Sequence, residues 1–112
     1  MPEAGKYWAK IKDAVYTQAD GKTPSVAIVV EVTHAASGDG WGPITPIERT
    51  VFMYCSDKAW PYTEEKLVSL GFNGDFNDIK FDPKYYTEGI GVECRIEDYQ
   101  GKAQEKWELS RA

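Results

Sequence analysis

Apolar and polar residues alternate with a period of two along most of this chain, which is typical of β-strands that bury one face. The alternation predicts five strands, at Lys6–Tyr16, Val26–Thr33, Ile47–Cys55, Ile90–Asp98 and Ala103–Arg111. The β-branched residues of the second segment favour a strand over a helix. Glycines and prolines between His34 and Pro46 predict a long irregular loop that contains Trp41. Tyr99-Gln100-Gly101-Lys102 predicts a hairpin turn between the last two strands.

One segment between the third and fourth strands has the features of a helix. Thr63 is a suitable N-cap, the two glutamates after it suit the positive end of the helix dipole, and Gly71 ends the helix. The buried stripe is expected to consist of Leu67, Val68 and Leu70. Three strands, a helix and a hairpin are the element order of an OB-fold, a five-stranded Greek-key barrel. A β-sandwich fragment or an SH3-like barrel explains the position of a single helix less well.

Length, charge and cysteine content narrow the class of protein. A chain of 112 residues without repeats suits one domain, and we predict a single domain over residues 1–112. Its 18 acidic residues against 13 lysines and arginines give a net charge of −5, so a positive surface requires that folding gather the basic side chains. Cys55 and Cys94 lie in apolar segments and are predicted to be buried free thiols. We find no signal peptide or membrane-spanning segment, and expect a cytoplasmic protein, including in an infected cell.

Catalytic and metal-binding motifs are missing from the sequence. It contains no glycine-rich phosphate loop and no nucleophile elbow, and the single histidine, His34, has no partner nucleophile in view. Asp75, Asp78 and Asp82 do not have the ligand spacing of a calcium-binding EF-hand. We therefore expect no enzyme activity, no metal and no cofactor.

Rings and cations remain as candidate binding groups. A protein that binds single-stranded nucleic acid without sequence preference needs ring faces for the bases and cations for the phosphates. The candidate rings are Trp8, Trp41, Phe52, Tyr54 and Tyr99, and the candidate cations are Lys10, Lys12, Arg49, Lys102 and Lys106. The alternative for each ring is packing: Trp8 at the end of the barrel, Phe52 and Tyr54 in the core, Trp41 and Tyr99 against their own turns. Trp60 and Tyr62 are expected to plug the barrel beside the helix, and Trp107 to lie in the core.

Several short motifs resemble small phage-encoded OB-fold single-stranded DNA-binding proteins of replication and recombination gene clusters. They are Gly5-Lys6-Tyr7-Trp8-Ala9-Lys10-Ile11, the strand Val26–Val32, Lys66-Leu67, Leu70-Gly71, Gly89-Ile90-Gly91-Val92-Glu93-Cys94, and Tyr99-Gln100-Gly101-Lys102. The resemblance covers nearly the whole chain and departs at Ser37–Pro43. It implies an OB barrel and binding of single-stranded DNA.

Three functions are compatible with this sequence. The first is sequence-tolerant binding of single-stranded DNA in replication or recombination. The second is an acidic protein-interaction module, either a homodimer that pairs strand edges or an adaptor for replication and recombination proteins. The third is a carbohydrate-binding module, because tryptophan and tyrosine rings also stack on sugars.

Overall fold

The computed structural model describes residues 2–110, in which one antiparallel sheet of five strands is combined with two helices. The strands are β1 Gly5–Thr17, β2 Ser25–Ser37, β3 Gly40–Tyr54, β4 Ile90–Tyr99 and β5 Lys102–Leu109, and the helices are α1 Trp60–Ser69 and α2 Lys84–Thr87. Within the sheet the strand order is β3-β2-β1-β4-β5. The mainly β class is therefore confirmed. The finer prediction of an OB-fold barrel is not confirmed, because the hydrogen-bonded sheet is open and its edges are β3 and β5.

The two edge strands lie beside each other without a hydrogen-bonded ladder. Pro43 and Pro46 lie in β3, and a proline has no N–H to donate to a ladder, so it is tolerated on an edge strand. A side-chain ion pair bridges the edges instead, with Arg49 Nε on β3 donating to Glu105 Oε1 on β5 over 2.8 Å.

The core lies on one face of the sheet. Its strand residues are Tyr7, Ala9, Ile11, Val26, Ile28, Val30, Val32, Val51, Met53, Val92, Cys94 and Trp107. Leu67 and Leu70 of the α1 segment, with Ile79 and Phe81 from the connection that follows, pack on the same core. Trp107 is thus a core residue, as the sequence predicts. No helix within residues 2–110 is both long and apolar enough to cross a membrane.

Helix α1 begins earlier than the sequence predicts. Its N-cap is Ala59 rather than Thr63, because Pro61 fits the first turn of a helix and Ser56 accepts hydrogen bonds from the first backbone amides. Thr63 instead lies inside the helix, where its buried hydroxyl donates to the carbonyl of Tyr54 over 2.6 Å. Val68 is exposed, so the prediction that it belongs to the buried stripe is wrong.

The long loop predicted between His34 and Pro46 is instead a β-hairpin. β2 and β3 continue until Ser37 pairs with Gly40, which leaves Gly38 and Asp39 as the turn. Gly38 has a φ of 56°, and glycine at the first central position is typical of a type II′ hairpin turn. The glycines that suggested irregular structure therefore permit a tight turn, and Trp41 lies on a strand.

Both cysteines are free thiols, as predicted. Cys94 is buried in the core and Cys55 is half-buried at the end of β3. Burial raises the pKa of both thiols above the ordinary value. A raised pKa leaves a smaller fraction of each thiol as thiolate at neutral pH.

Candidate nucleic-acid interface

The sheet surface opposite the core, which we call the outer face, carries four of the five candidate rings and, among the candidate cations, Lys10. On β1, β2 and β3 its members are Trp8, Lys10, Val15, Val29, Glu31, His34, Trp41, Glu48, Phe52 and Tyr54. Strand pairing aligns Val15, Ala27 and Phe52 in one row across the three strands, and Tyr54 lies in the next outward row. Phe52 is 56% exposed and Tyr54 is 54% exposed, while the alternating residues of β3, Val51 and Met53, are buried in the core. The two rings therefore point away from the core.

A second group of rings lies toward the other end of the outer face. Trp8 is aligned with His34 on β2, which in turn pairs with Pro43 on β3. The ring centroids of Trp8 and Trp41 are 5.7 Å apart with an interplanar angle of 55°. Trp41 is 47% exposed, whereas Trp8 is half-buried. A small hollow of about 300 Å³ lies against Trp8, His34 and Trp41.

The indole of Trp8 is held in place by the segment that precedes β4. Its Nε1 donates a hydrogen bond of 2.8 Å to the carbonyl oxygen of Glu88. The next residue, Gly89, has a φ of 101°, and a Cβ atom there would lie 2.5 Å from Trp8 Nε1. Only glycine permits this close approach. The ring is thus fixed before any ligand binds, which reduces the entropy lost on binding.

Charged side chains occupy the middle of the outer face. Lys10, Glu31 and Glu48 lie side by side on the three strands. Lys12 approaches Glu31 with an Nζ to Oε1 distance of 3.9 Å. Like charges directly opposite each other on neighbouring strands are destabilising. The pair Glu31 and Glu48 therefore opposes both folding and the approach of an anion.

The other predicted cations are divided between ion pairs and the hairpin tip. Arg49 is bound to Glu105, as described above, and Lys106 lies 3.8 Å from Glu97 and 3.7 Å from Glu108. Tyr99 is 61% exposed beside Lys102 at the tip of the β4–β5 hairpin, where both turn residues have positive φ, as in a type I′ turn. The structure therefore brings Trp8, Lys10 and Trp41 together on the outer face, and leaves Tyr99, Lys102 and Lys106 on a separate hairpin.

Sequence reasoning missed Val15 as an outer-face residue. Simple alternation from Tyr7 and Ile11 places it inward, but the register shifts between Ile11 and Asp13. This irregularity at Lys12 reverses the facing of the rest of β1, so that Val15 is 51% exposed. His34 was assigned to a loop, yet it lies on β2 beside Trp8.

Within residues 2–110 no cluster of three or more histidine, cysteine or acidic side chains is arranged to hold a metal ion. Exposed rings on a sheet face can stack on flat ligands, and the neighbouring lysines can meet anionic groups. Comparison of the chain with protein-family models, with curated proteins and with solved structures found no match.

Proposed function

We propose that this protein is an OB-type domain that binds single-stranded DNA with little sequence preference, in replication or recombination. The strand order β3-β2-β1-β4-β5, with the two edges side by side and a helix between β3 and β4, supports the OB-type architecture. OB-folds are partly open five-stranded barrels, which bind oligonucleotides on the face of strands two and three. The motifs that resemble those of small phage DNA-binding proteins favour the same process.

The observation that carries this proposal is the pair of ring clusters on one sheet face. Phe52 and Tyr54 form one cluster, and Trp8 and Trp41 form the other. Phe52 and Trp8 pair with Ala27 and His34 on β2. The nearest members of the two clusters are therefore about 23 Å apart along the strand, at roughly 3.3 Å per residue. Each base stacked on an aromatic ring contributes about 1–3 kcal/mol, and every base has a ring face. A face with rings at both ends is therefore able to hold an extended strand without reading its sequence.

Electrostatics supports a binding mode dominated by stacking. Lys10 lies on the outer face and the ammonium group of Lys12 approaches Glu31 there, but Glu31 and Glu48 offset their charge. The salt dependence of binding grows with the number of phosphates that lysines and arginines neutralise. We therefore attribute most of the affinity to ring contacts and expect a shallow salt dependence.

Alanine substitution of Phe52 tests the proposal. We expect Phe52→Ala to weaken binding of a labelled oligo-dT by about fivefold or more, which corresponds to the loss of one stacked base. The fold should persist because the ring is more than half exposed. Fluorescence anisotropy at low salt measures the dissociation constant. Val68→Ala is the matched control, since Val68 is 69% exposed on α1 and lies off the outer face. No binding of oligo-dT by the unmodified protein would refute the proposal.

Removal of one outer-face carboxylate should have the opposite effect. Glu48→Gln eliminates the repulsion between Glu31 and Glu48 and one negative charge near the path of the strand. We expect a tighter complex with oligo-dT, by about twofold to fivefold at low salt, and a small gain in thermal stability. Titration of the variant at two salt concentrations checks this, because the gain should shrink at high salt. Unchanged affinity at low salt would place the strand away from β2 and β3.

A second candidate function is that of an acidic protein-interaction module. The observation in its favour is that Lys12, Arg49 and Lys106 are engaged in ion pairs, while Val15, Phe52 and Tyr54 expose apolar surface. The partner is then a second copy of the chain or a replication or recombination protein. This function would be favoured if light scattering shows a dimer that becomes a monomer in Phe52→Ala. The protein should then also fail to bind oligo-dT.

A further inference from the structure

A cleft of about 730 Å³ lies beyond the tryptophan end of the outer face. It extends from Trp8 and Trp41, past the backbone at residues 89–91, to helix α1. Its rings are Trp8, Trp41, Tyr62 and Tyr85, and its cations are Lys6 and Lys66. Tyr62 is 65% exposed, so the prediction that it plugs the barrel is wrong; Trp60 does pack against the core. Ligand cavities commonly measure about 300–1,000 Å³, so the cleft has room for a nucleotide.

Two of the rings are held rigidly. The Nε1 of Trp8 donates its one hydrogen bond to the carbonyl of Glu88, so a ligand can contact this indole only through its ring. The hydroxyl of Tyr85 donates to the carbonyl of Ser69 over 3.3 Å, which ties α2 to the end of α1. Rings fixed in this way bind flat ligands with a small loss of side-chain entropy.

The charge of the cleft favours an anionic ligand. Neither Lys6 nor Lys66 forms an ion pair with any residue between 2 and 110, whereas Lys12 and Lys106 on the sheet do. Glu65 is the one carboxylate among the residues that line the cleft within the described chain. Both lysines do have carboxylates nearby, because Lys6 is paired with Glu93 across the sheet and the charge of Lys66 helps to lower the pKa of Glu108. The cleft thus combines ring faces with two ammonium groups that form no close ion pair within residues 2–110, and these are the two elements that bind a base and its phosphate.

We infer that this cleft binds a single nucleotide at one end of the DNA strand, with its base on the rings and its phosphate beside Lys6 and Lys66. The inference rests on the proposed function, since the strand would pass from Phe52 over Trp41 into the cleft. The same chemistry suits a free nucleotide, so the experiment must separate a strand end from a free mononucleotide.

Tryptophan fluorescence of the whole protein is the readout, because Trp8 and Trp41 line the cleft while Trp60 and Trp107 do not. The ligands are thymidine, thymidine 5′-monophosphate and a ten-nucleotide oligo-dT. The variants are Tyr62→Ala, the double variant Lys6→Gln with Lys66→Gln, and Phe52→Ala. Val68→Ala again is the control on the same helix, since it lies outside the cleft.

We expect thymidine 5′-monophosphate to quench the fluorescence of the unmodified protein and of Phe52→Ala alike. Tyr62→Ala should weaken both this nucleotide and oligo-dT by about fivefold or more. The double lysine variant should weaken the monophosphate but not thymidine. Oligo-dT binding that depends on Phe52 but is unaffected by Tyr62→Ala overturns the cleft inference and leaves the proposed function in place. If thymidine 5′-monophosphate quenches the fluorescence and oligo-dT binds no more tightly than this nucleotide, the proposed function is refuted and the cleft is a site for free nucleotides.

Discussion

We expect Gly89→Ala to lower the free energy of unfolding by about 3 kcal/mol or more. A Cβ atom at this position would lie 2.5 Å from Trp8 Nε1 and 2.6 Å from the backbone oxygen of Ala9. The oxygen belongs to β1 at the centre of the sheet, so it has little freedom to move. The φ of 101° adds backbone strain of about 1–3 kcal/mol for any residue other than glycine. Displacement of Trp8 also removes its hydrogen bond to Glu88, worth about 1 kcal/mol.

Gly101→Ala is the matched control for this substitution. Gly101 also has a positive φ, of 80°, but no atom lies within 4 Å of the position that a Cβ would occupy. Its cost is therefore backbone strain alone, about 1 kcal/mol. Urea denaturation monitored by circular dichroism measures both variants. If both variants lose the same free energy of unfolding, backbone strain and not contact with Trp8 causes the effect at Gly89.

Alternation of apolar and polar residues located the strands because each buries one face on a common core. Strict alternation that starts at Tyr7 describes the facing of β1 only as far as Ile11. Beyond it, the irregularity at Lys12 turns Val15 outward, and a period-two pattern contains no signal for an inserted residue. Closure of the sheet was equally beyond local reasoning, since it depends on whether β3 and β5 meet in register.

Glycine and proline were the main source of error in the element boundaries. The sequence pattern predicts an irregular loop at Gly38, although a hairpin turn needs the same residue type. Pro61 marks the first turn of α1. Thr63 has the residue type of an N-cap, but its hydroxyl forms a tertiary hydrogen bond to Tyr54. Local sequence does not distinguish these alternatives, because the packing partners decide between them.

The rings of the candidate interface were identified by type and periodicity, and the structure gives their surroundings. Phe52 and Tyr54 are exposed, as strand alternation allows. The cleft could not be predicted, because Trp8 and Tyr62 are 54 positions apart in the printed sequence and meet only through the path of the chain. Likewise, no local pattern shows that Glu105 engages Arg49.

The bridge between the sheet edges gives the second large effect. Glu105 Oε1 accepts hydrogen bonds of 2.8 Å from both Arg49 Nε and Trp107 Nε1. We expect Glu105→Ala to lower the free energy of unfolding by about 2–3 kcal/mol, because it leaves the two donors unsatisfied beside the core. Glu105→Gln keeps an acceptor oxygen and loses the charge, so its cost should be about half as large. Arg95→Ala should cost less than either, since Arg95 and Glu108 join strands that a ladder already holds.

The stabilisation by the Arg49–Glu105 ion pair should depend on pH, because it relies on the negative charge of Glu105. Burial raises the pKa of Glu105, but hydrogen bonds from Trp107 and Arg49, and the positive charge of Arg49, outweigh burial and bring the pKa below its ordinary value. A carboxyl whose pKa is lower in the folded state stabilises above its unfolded pKa, near 4.3, and this contribution is lost as pH falls through the folded pKa. The stability difference between the unmodified protein and Glu105→Gln should therefore be full at pH 7 and shrink toward zero below pH of about 4. Glu108, whose pKa is also lowered, is present in both proteins and cancels from the difference. Urea denaturation at a series of pH values measures it, and a difference that stays constant with pH would show that the bridge acts through packing instead of charge.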